Sequence, residues 1–448
     1  MIQDLTEGRP AKVILVYSLP IILGNVFQQI YNLVDIVIVG RCIGFQALAG
    51  VGATGGLNFL VLGFAMGITS GLGIMIAQFF GARDMVRMRQ SIGTSLIICV
   101  GLSVMLTLLA LGLLPALLRF LNTPDSIYQY SYNYISIIFA GIIASVAYNM
   151  VSCILRALGD SRTPLYFLLF SSVLNVGLDL LCIATFGWGV QGAAVATVFA
   201  QMLSAALCFA WAFHKYPEIR LHKDDFRTSW GFIWDHLAIG LPMALQFSIT
   251  AVGVVILQAA LNLFPDTYIA GFSAANKVQN LGATVGVSFG VSMANYAGQN
   301  YGAGRIDRVR SGVRATIFLT LCVCTVASAI LWFFDEPLTA MFLDENSLAD
   351  SADRVSEIFY AARLYLHVSA IFFPFLYVLF VYRNALQGVG QTFWPLMAGV
   401  LELVIRMGAS MTFPRFYGYP AIPLVDVMAW VGACLWLAVS YYLLMNKR

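Results

Sequence analysis

The chain holds 448 residues, of which 60% are apolar and 10% charged, with a mean hydropathy of +0.82 and a formal net charge of +3. Soluble domains carry about 25% charged residues, so this chain cannot cover a water-facing surface of its size. Nucleic-acid binding, a secreted disulfide scaffold and a cytosolic enzyme are disfavoured together, and an integral membrane protein remains.

Residues 90–118, 126–155, 236–265, 315–334 and 427–446 contain no Asp, Glu, Lys or Arg. Each gap is long enough to cross a bilayer core as a helix, which takes about 20 residues. The ten-residue alternation of barrel strands is not visible. The pattern predicts an all-α membrane protein with twelve transmembrane helices, starting near residues 13, 46, 90, 127, 163, 189, 232, 266, 308, 355, 391 and 421.

The first apolar run, from Val13 past Val39, is too long for a cleaved signal peptide and is read as span one. It carries Pro20 and the stripe Gln28, Tyr31 and Asp35, at i, i+3 and i+7 on one helix face. The missing amide hydrogen at Pro20 frees a carbonyl, so the helix can bend there, either as a static kink or in response to Asp35 protonation. Span two carries Gly63, Gly67 and Gly71, small residues at close-packing spacing. Gly50-Val-Gly-Ala-Thr-Gly55 matches GxGxxG, but no strand precedes it, so no nucleotide is expected there. Span five carries Asn175 and Asp179 at i, i+4, and span six carries Thr197.

The stretch His214–Ser229 links two repeated halves, which gives an N-terminal six-helix lobe (1–213), a linker (214–230) and a C-terminal six-helix lobe (231–448). Ser18-Leu-Pro20 answers Gly240-Leu-Pro242, Phe80-Gly-Ala-Arg-Asp84 answers Tyr301-Gly-Ala-Gly-Arg305, and Gly159 answers Gly390. Six helices per repeat is an even number, so the halves share one orientation about a pseudo-twofold axis along the membrane normal. In the second half, span eight carries Gly282, Gly286 and Gly290 together with Lys277, and span ten carries Arg363 and His367. Glu402 and Arg406 lie at i, i+4 in span eleven, and Asp426 in span twelve takes the repeat position of Thr197. Cys322 and Cys324 point to different faces, which suits no shared metal, and His214, His222 and His236 are read as interfacial.

Eighteen Lys and Arg fall on the side of the N-terminus, including Arg383 and Lys447–Arg448, against Arg41, Arg119, Arg354 and Arg415 on the other. The positive-inside rule then places both termini in the cytoplasm of a cell-membrane protein, with the acidic loop 335–357 outside.

A charge at mid-membrane costs about 2.5–3.5 kcal/mol on insertion scales, so intramembrane acids mark candidate sites. If spans one, five and six meet, Asp35, Asp179, Asn175 and Thr197 form a hard oxygen set suited to Na⁺ or a shared proton and unsuited to zinc or copper. Helix-bonding glue is the bland alternative. Glu402, Arg406 and Asp426 can neutralise one another, which favours a structural salt bridge over a second transport site. Lys277 and the Arg363/His367 pair are further buried-charge candidates.

Pro20, Tyr31, Asp35, Asn175, Asp179 and Thr197, with the Gly-Ala-Arg-Asp and Gln-Asn-Tyr-Gly-Ala-Gly sequences ending spans two and eight, resemble the multidrug and toxic compound extrusion (MATE) transporters, most closely the prokaryotic DinF-like branch. The resemblance implies a V-shaped pair of six-helix bundles that exchanges Na⁺ or H⁺ for amphipathic, often cationic, organic compounds by alternating access. It implies a cation site at Asp35, Asn175, Asp179 and Thr197, with the Ala193 carbonyl nearby, Tyr31 adjoining and Pro20 at the bend. Gln28, Lys277, Arg363, Glu402, Arg406 and Asp426 remain as substrate-contact or polar-network candidates. Some members carry an acid in span seven, which His236–Leu263 lacks. No cofactor beyond the coupling ion is expected; the partners are small molecules and lipid, in a monomer. A lipid-linked precursor flippase of the same superfamily, which would need a strongly cationic cavity, is one alternative. A membrane-embedded enzyme, which would need clustered catalytic groups where only four scattered histidines exist, is another.

Overall fold

A computed structural model describes residues 3–343 and 351–446, so part of the acidic 335–357 loop and Lys447–Arg448 lie outside the described residues. These residues form helices and connecting turns, with no strand among them. In chain order the helices are α1 (Pro10–Cys42), α2 (Phe45–Ala53), α3 (Gly55–Gly81), α4 (Met85–Phe120), α5 (Asp125–Ala140), α6 (Ile142–Ala157), α7 (Arg162–Asp179) and α8 (Gly189–Lys215). The second half continues with α9 (Trp230–Leu261), α10 (Asp266–Gly302), α11 (Ile306–Phe333), the short α12 (Asp335–Ala340), α13 (Ala352–Gly388), α14 (Phe393–Tyr417) and α15 (Ala421–Asn446). In hydrocarbon every backbone amide must find its partner internally, and long helices achieve this within one segment.

Ten of these helices are individually long and apolar enough to cross a bilayer, and α5 with α6, bent by 49° at Gly141, makes an eleventh span. The twelfth expected span, α10, is a single 37-residue helix but more polar than the others, since Asn276, Lys277, Gln279 and Asn280 fall within it. Span two breaks at Thr54 into α2 and α3, and the GxGxxG match straddles that break in helical backbone.

The helices group into two compact units. The first holds residues 3–7, Leu19–Ser248 and Gly298–Arg305; the second holds Gly8–Ser18, Ile249–Ala297 and the described residues from Ile306 onward. Three helices therefore contribute to both: α1 is divided just before Pro20, α9 after Ser248, and α10 before Gly298.

The expected glycine packing is present. A Cβ on Gly67 or Gly71 would lie 2.4 Å and 2.5 Å from the α9 backbone at Ala244 and Gly240. Gly282 and Gly286 lie against Phe373 and Tyr377 of α13, and Gly290 against Asn384. The internal repeat is visible as a paired contact within the first unit: a Cβ on Gly81 would meet the Gln299 carbonyl at 1.9 Å, and one on Gly302 would meet the Gln78 carbonyl at 1.8 Å. Gly159 and Gly390, matched in the repeat, both end a helix in the left-handed region, at φ 88° and 80°.

Residues 3–7 are stitched to two helix ends in the first unit. The Leu5 amide donates to Gln299 Oε1 at 3.0 Å, Asn300 Nδ2 donates to the Leu5 carbonyl at 3.1 Å, and Gln299 Nε2 donates to the Ala157 carbonyl at 2.7 Å. Next to them Asp160, 2% exposed, caps α7. Its carboxylate accepts from the Thr163 amide (3.0 Å) and hydroxyl (2.6 Å) and from the Tyr216 hydroxyl, with Lys215 Nζ at 3.8 Å. Burial alone would favour the neutral acid, but these bonds and the Lys215 charge outweigh it and hold the carboxyl below the usual carboxylate range. A depressed folded-state value contributes stability above the unfolded value, about 4, and loses it as pH falls through the folded one. Asp160→Asn should therefore lower stability by about 2 kcal/mol at neutral pH. Thermal unfolding in detergent at pH 7 and pH 3 checks this: the gap between variant and parent must shrink in acid, and an equal gap at both values contradicts it.

Candidate functional site

The first unit brings the predicted oxygen cluster together. Asp35, on α1, and Asp179, at the last position of α7, bring their carboxyls side by side. Two ionised carboxylates offer only acceptors, so such a pair has room for a shared proton or cation. Asp179 is fully buried, and the backbone immediately after it, Leu180–Thr185, winds as a π-helix. Such wide turns loosen the regular ladder and occur mostly where a helix carries a function. One turn earlier on α7, Asn175 Nδ2 donates to Thr197 Oγ1 of α8 at 3.2 Å, and Thr197 donates to the Ala193 carbonyl at 3.0 Å. The Tyr31 hydroxyl, on α1, bonds to Thr197 as well. Asp35 Oδ1 is buried with no hydrogen-bond partner among the described residues.

Three helices thus supply two carboxyls, an amide, a hydroxyl, a phenol and a backbone carbonyl to one point. Tyr134 of α5, buried beside Asp35, Tyr31 and Asp179, completes it. Nothing in the sequence set that tyrosine apart from its neighbours in the Tyr-rich stretch 128–134. Two predicted residues stay outside the cluster. Gln28 is exposed on the surface of α1, and Pro20, buried, lies about 22 Å along the helix from Asp35.

The second unit assembles a different object. Arg406 Nε donates to Asp426 Oδ1 at 3.0 Å, and its Nη1 lies 3.7 Å from Glu402 Oε2. Glu402 also accepts from Arg383. Asp426 further accepts from the Tyr365 hydroxyl at 3.3 Å, which in turn accepts from Asn276 Nδ2 at 3.1 Å. Two arginines face two acids, so the network is neutral in itself. Gly253 of α9 leaves room for the Arg406 guanidinium, which would lie 3.1 Å from a Cβ there.

Several sequence readings are corrected by this arrangement. Arg383 does not lie in a loop; it sits within α13, almost buried, as the second cation of the network. Its signal was present, as the lone charge between Arg363 and Glu402. Lys277 is exposed on α10, with its ammonium 5.9 Å from the Phe342 ring. Arg363 is half exposed and pairs with Asp335 at 2.8 Å and with Glu336. His367 stacks on Trp332, with ring centroids 4.1 Å apart, and approaches Asp335 at 3.5 Å. Both belong to a cluster where α12 meets the first turns of α13, apart from the buried network. His236 is not interfacial but fully buried: its ring accepts from or donates to Ser91 Oγ at 2.7 Å, with the other nitrogen 2.7 Å from the Phe232 carbonyl.

A family model described as MatE matches residues 20–181 and 242–412, which takes in both halves and every residue of the Asp35 cluster except Ala193 and Thr197. The "Probable multidrug resistance protein YpnP" of Bacillus subtilis is 27% identical over 423 residues, covering 94% of this chain and 92% of the relative. The "Probable multidrug resistance protein NorM" of Thermotoga maritima is 24% identical over 421 residues, covering 93% and 87%. A MATE crystal structure in complex with MaL6 superposes with a TM-score of 0.90 at 23% identity, over 99% of each chain. Fold, repeat and family model agree, and the chain belongs to the MatE family of multi-pass membrane transporters.

Proposed function

We propose that the protein is a cation-coupled antiporter that exports amphipathic, often cationic, organic compounds, with both termini in the cytoplasm of a cell membrane. The observation that carries this reading is the Asp35–Asp179 contact, two acidic groups sharing one place with no basic side chain beside them among the described residues. The partnerless Asp35 Oδ1 leaves an oxygen available for a guest cation or proton. Asn175, Thr197 and the Ala193 carbonyl add the neutral oxygens that a hard ion such as Na⁺ prefers. In the second unit Glu402 and Asp426 are each bound to an arginine and offer no such vacancy of charge, which supports reading them as structural.

In this cycle the first unit takes up Na⁺ or H⁺ at Asp35/Asp179 on the outside. Occupancy rearranges α1 and weakens substrate binding, and the loaded protein then turns inward and releases the cation. Coupling requires each ligand to lower the other's affinity, by about 1–3 kcal/mol. The names of the relatives support drug-like substrates. A flippase of the same superfamily would need free basic groups for pyrophosphate, whereas Arg363, Arg383 and Arg406 are ion-paired.

The test is transport by the purified protein in sealed vesicles. Ethidium should move against an imposed proton gradient, an imposed Na⁺ gradient, or both. If neither gradient drives ethidium or another organic cation, the antiporter reading fails.

A further inference from the structure

The cation cluster is continued, inside the same unit, by a run of polar side chains that the transport cycle above does not use. Gln201 lies one turn beyond Thr197 on α8, and its Oε1 accepts from Ser145 Oγ on α6. The Ser145 carbonyl accepts from Asn149 Nδ2 at 2.9 Å. Along α6 the next polar side chains are Tyr148, whose hydroxyl donates to the Pro164 carbonyl at 3.0 Å, and Ser152, 2% exposed, whose Oγ is buried with no hydrogen-bond partner among the described residues. One turn further, Arg156 Nη2 donates to Cys153 Sγ at 3.3 Å, and Arg156 and Asp160 both lie beside the buried Cys208. The run ends at Asp160, with Tyr216 and Lys215 upon it. From Ser145 to Arg156 it covers about 16 Å of helix.

Polar side chains in the hydrophobic zone are costly unless they satisfy one another or line a pathway. Mutual bonding explains the Ser145–Gln201 pair but neither the unpartnered Ser152 hydroxyl nor why these groups are strung from the acidic cluster to the helix end. We propose that this run is the route by which a coupling proton passes between the Asp35–Asp179 pair and the Asp160 turn, within one unit. The proposal rests on the cation-site reading above and narrows the ion on this route to H⁺. A Na⁺ would need several oxygens in place of its hydration shell at every stop, and the run offers one or two. A proton needs only successive oxygens. Each hydroxyl that takes a proton on a lone pair passes its own to the next oxygen, so Thr197, Ser145 and Ser152 end unchanged. The Gln201 and Asn149 amides orient bridging water across the one-turn gaps. Tyr31 and Tyr134 adjoin the pair at one end. At the other, Arg156 and Lys215 oppose a passing cation and the Asp160 carboxylate offsets them.

The experiment uses the full protein in vesicles with ethidium as probe, and compares Gln201→Leu and Ser145→Ala with the parent. Two rates are read: net ethidium transport driven by a proton gradient, and ethidium–ethidium exchange at equal pH, which moves substrate without net proton transit. Both variants should slow the driven rate about tenfold while exchange, and the pH dependence of ethidium binding, are retained. A driven rate equal to the parent's in Ser145→Ala overturns the route, and so does a parallel loss of exchange in that variant, because the hydroxyl then serves folding alone. Transport driven by Na⁺ but not by a proton gradient also overturns the route, yet leaves the cation site standing. Ethidium binding in the parent that responds neither to pH nor to Na⁺ refutes the cation site itself, whatever Gln201 does.

Discussion

Asp35→Asn should abolish gradient-driven export while leaving the protein folded and able to bind its substrate. Asn is nearly the same shape and can still donate to Asp179, so the helix contacts of the cluster survive. What disappears is the second titratable group, and with it the competition between cation and substrate for the state of α1. A coupling of about 1–3 kcal/mol corresponds to a change of about 5- to 150-fold in ethidium affinity between cation-loaded and cation-free protein. That ratio should collapse to one in the variant. Fluorescence titration of purified protein at pH 6 and pH 8, repeated with and without Na⁺, reads the ratio, and efflux from cells at matched expression reads the consequence. Asp179→Asn should behave alike, and the double variant should be no worse than either, because the two acids act as a unit. Unimpaired export by Asp35→Asn would remove the basis of the proposed site.

The second large effect is on stability. Arg406→Ala strips Asp426 of the one cation paired with it among the described residues and leaves the carboxylate beside Tyr365 in a buried setting. Breaking a buried pair on one side costs about 3–5 kcal/mol, far above the worth of an exposed pair. Glu402 is spared, because Arg383 still holds it. The double variant Arg406→Met/Asp426→Asn should therefore recover most of the loss, since it removes a cation and an anion together and leaves the Arg383–Glu402 pair neutral. Denaturation in mixed micelles measures both. If Arg406→Ala unfolds like the parent while driven transport falls, the network belongs to transport and its reading as a brace is wrong.

Much of the fold could be read along the chain. Runs without charge marked the spans, and Gly63, Gly67 and Gly71 marked a face that packs on α9. Where a span was expected from residue 266, α10 forms one long helix, but its polar residues keep it below the hydropathy of its neighbours. The site was legible to the same depth. Asp35, Asn175, Asp179 and Thr197 stood out because polar groups in apolar helices are few, and i, i+4 spacing already paired Asn175 with Asp179 on one face. Tyr134 did not stand out, being one tyrosine among several, and Lys277 stood out for a burial it does not have. His236 was misplaced because its position near a helix start suggests an interface, whereas Ser91 of α4 reaches it in the interior.

Hydropathy, charge and repeat are properties of consecutive residues, so the sequence by itself determined that this is a membrane transporter of twelve expected helices with two internal acids in its first half. The tertiary structure alone decided which side chains meet: that Asp35 lies against Asp179, while Asp426 and Glu402 go to Arg406 and Arg383. Helices that are apolar nearly all round carry little record of how they are rotated against one another. The partner of a buried charge is then fixed by packing across helices, and packing is written into the whole chain rather than into any one segment of it.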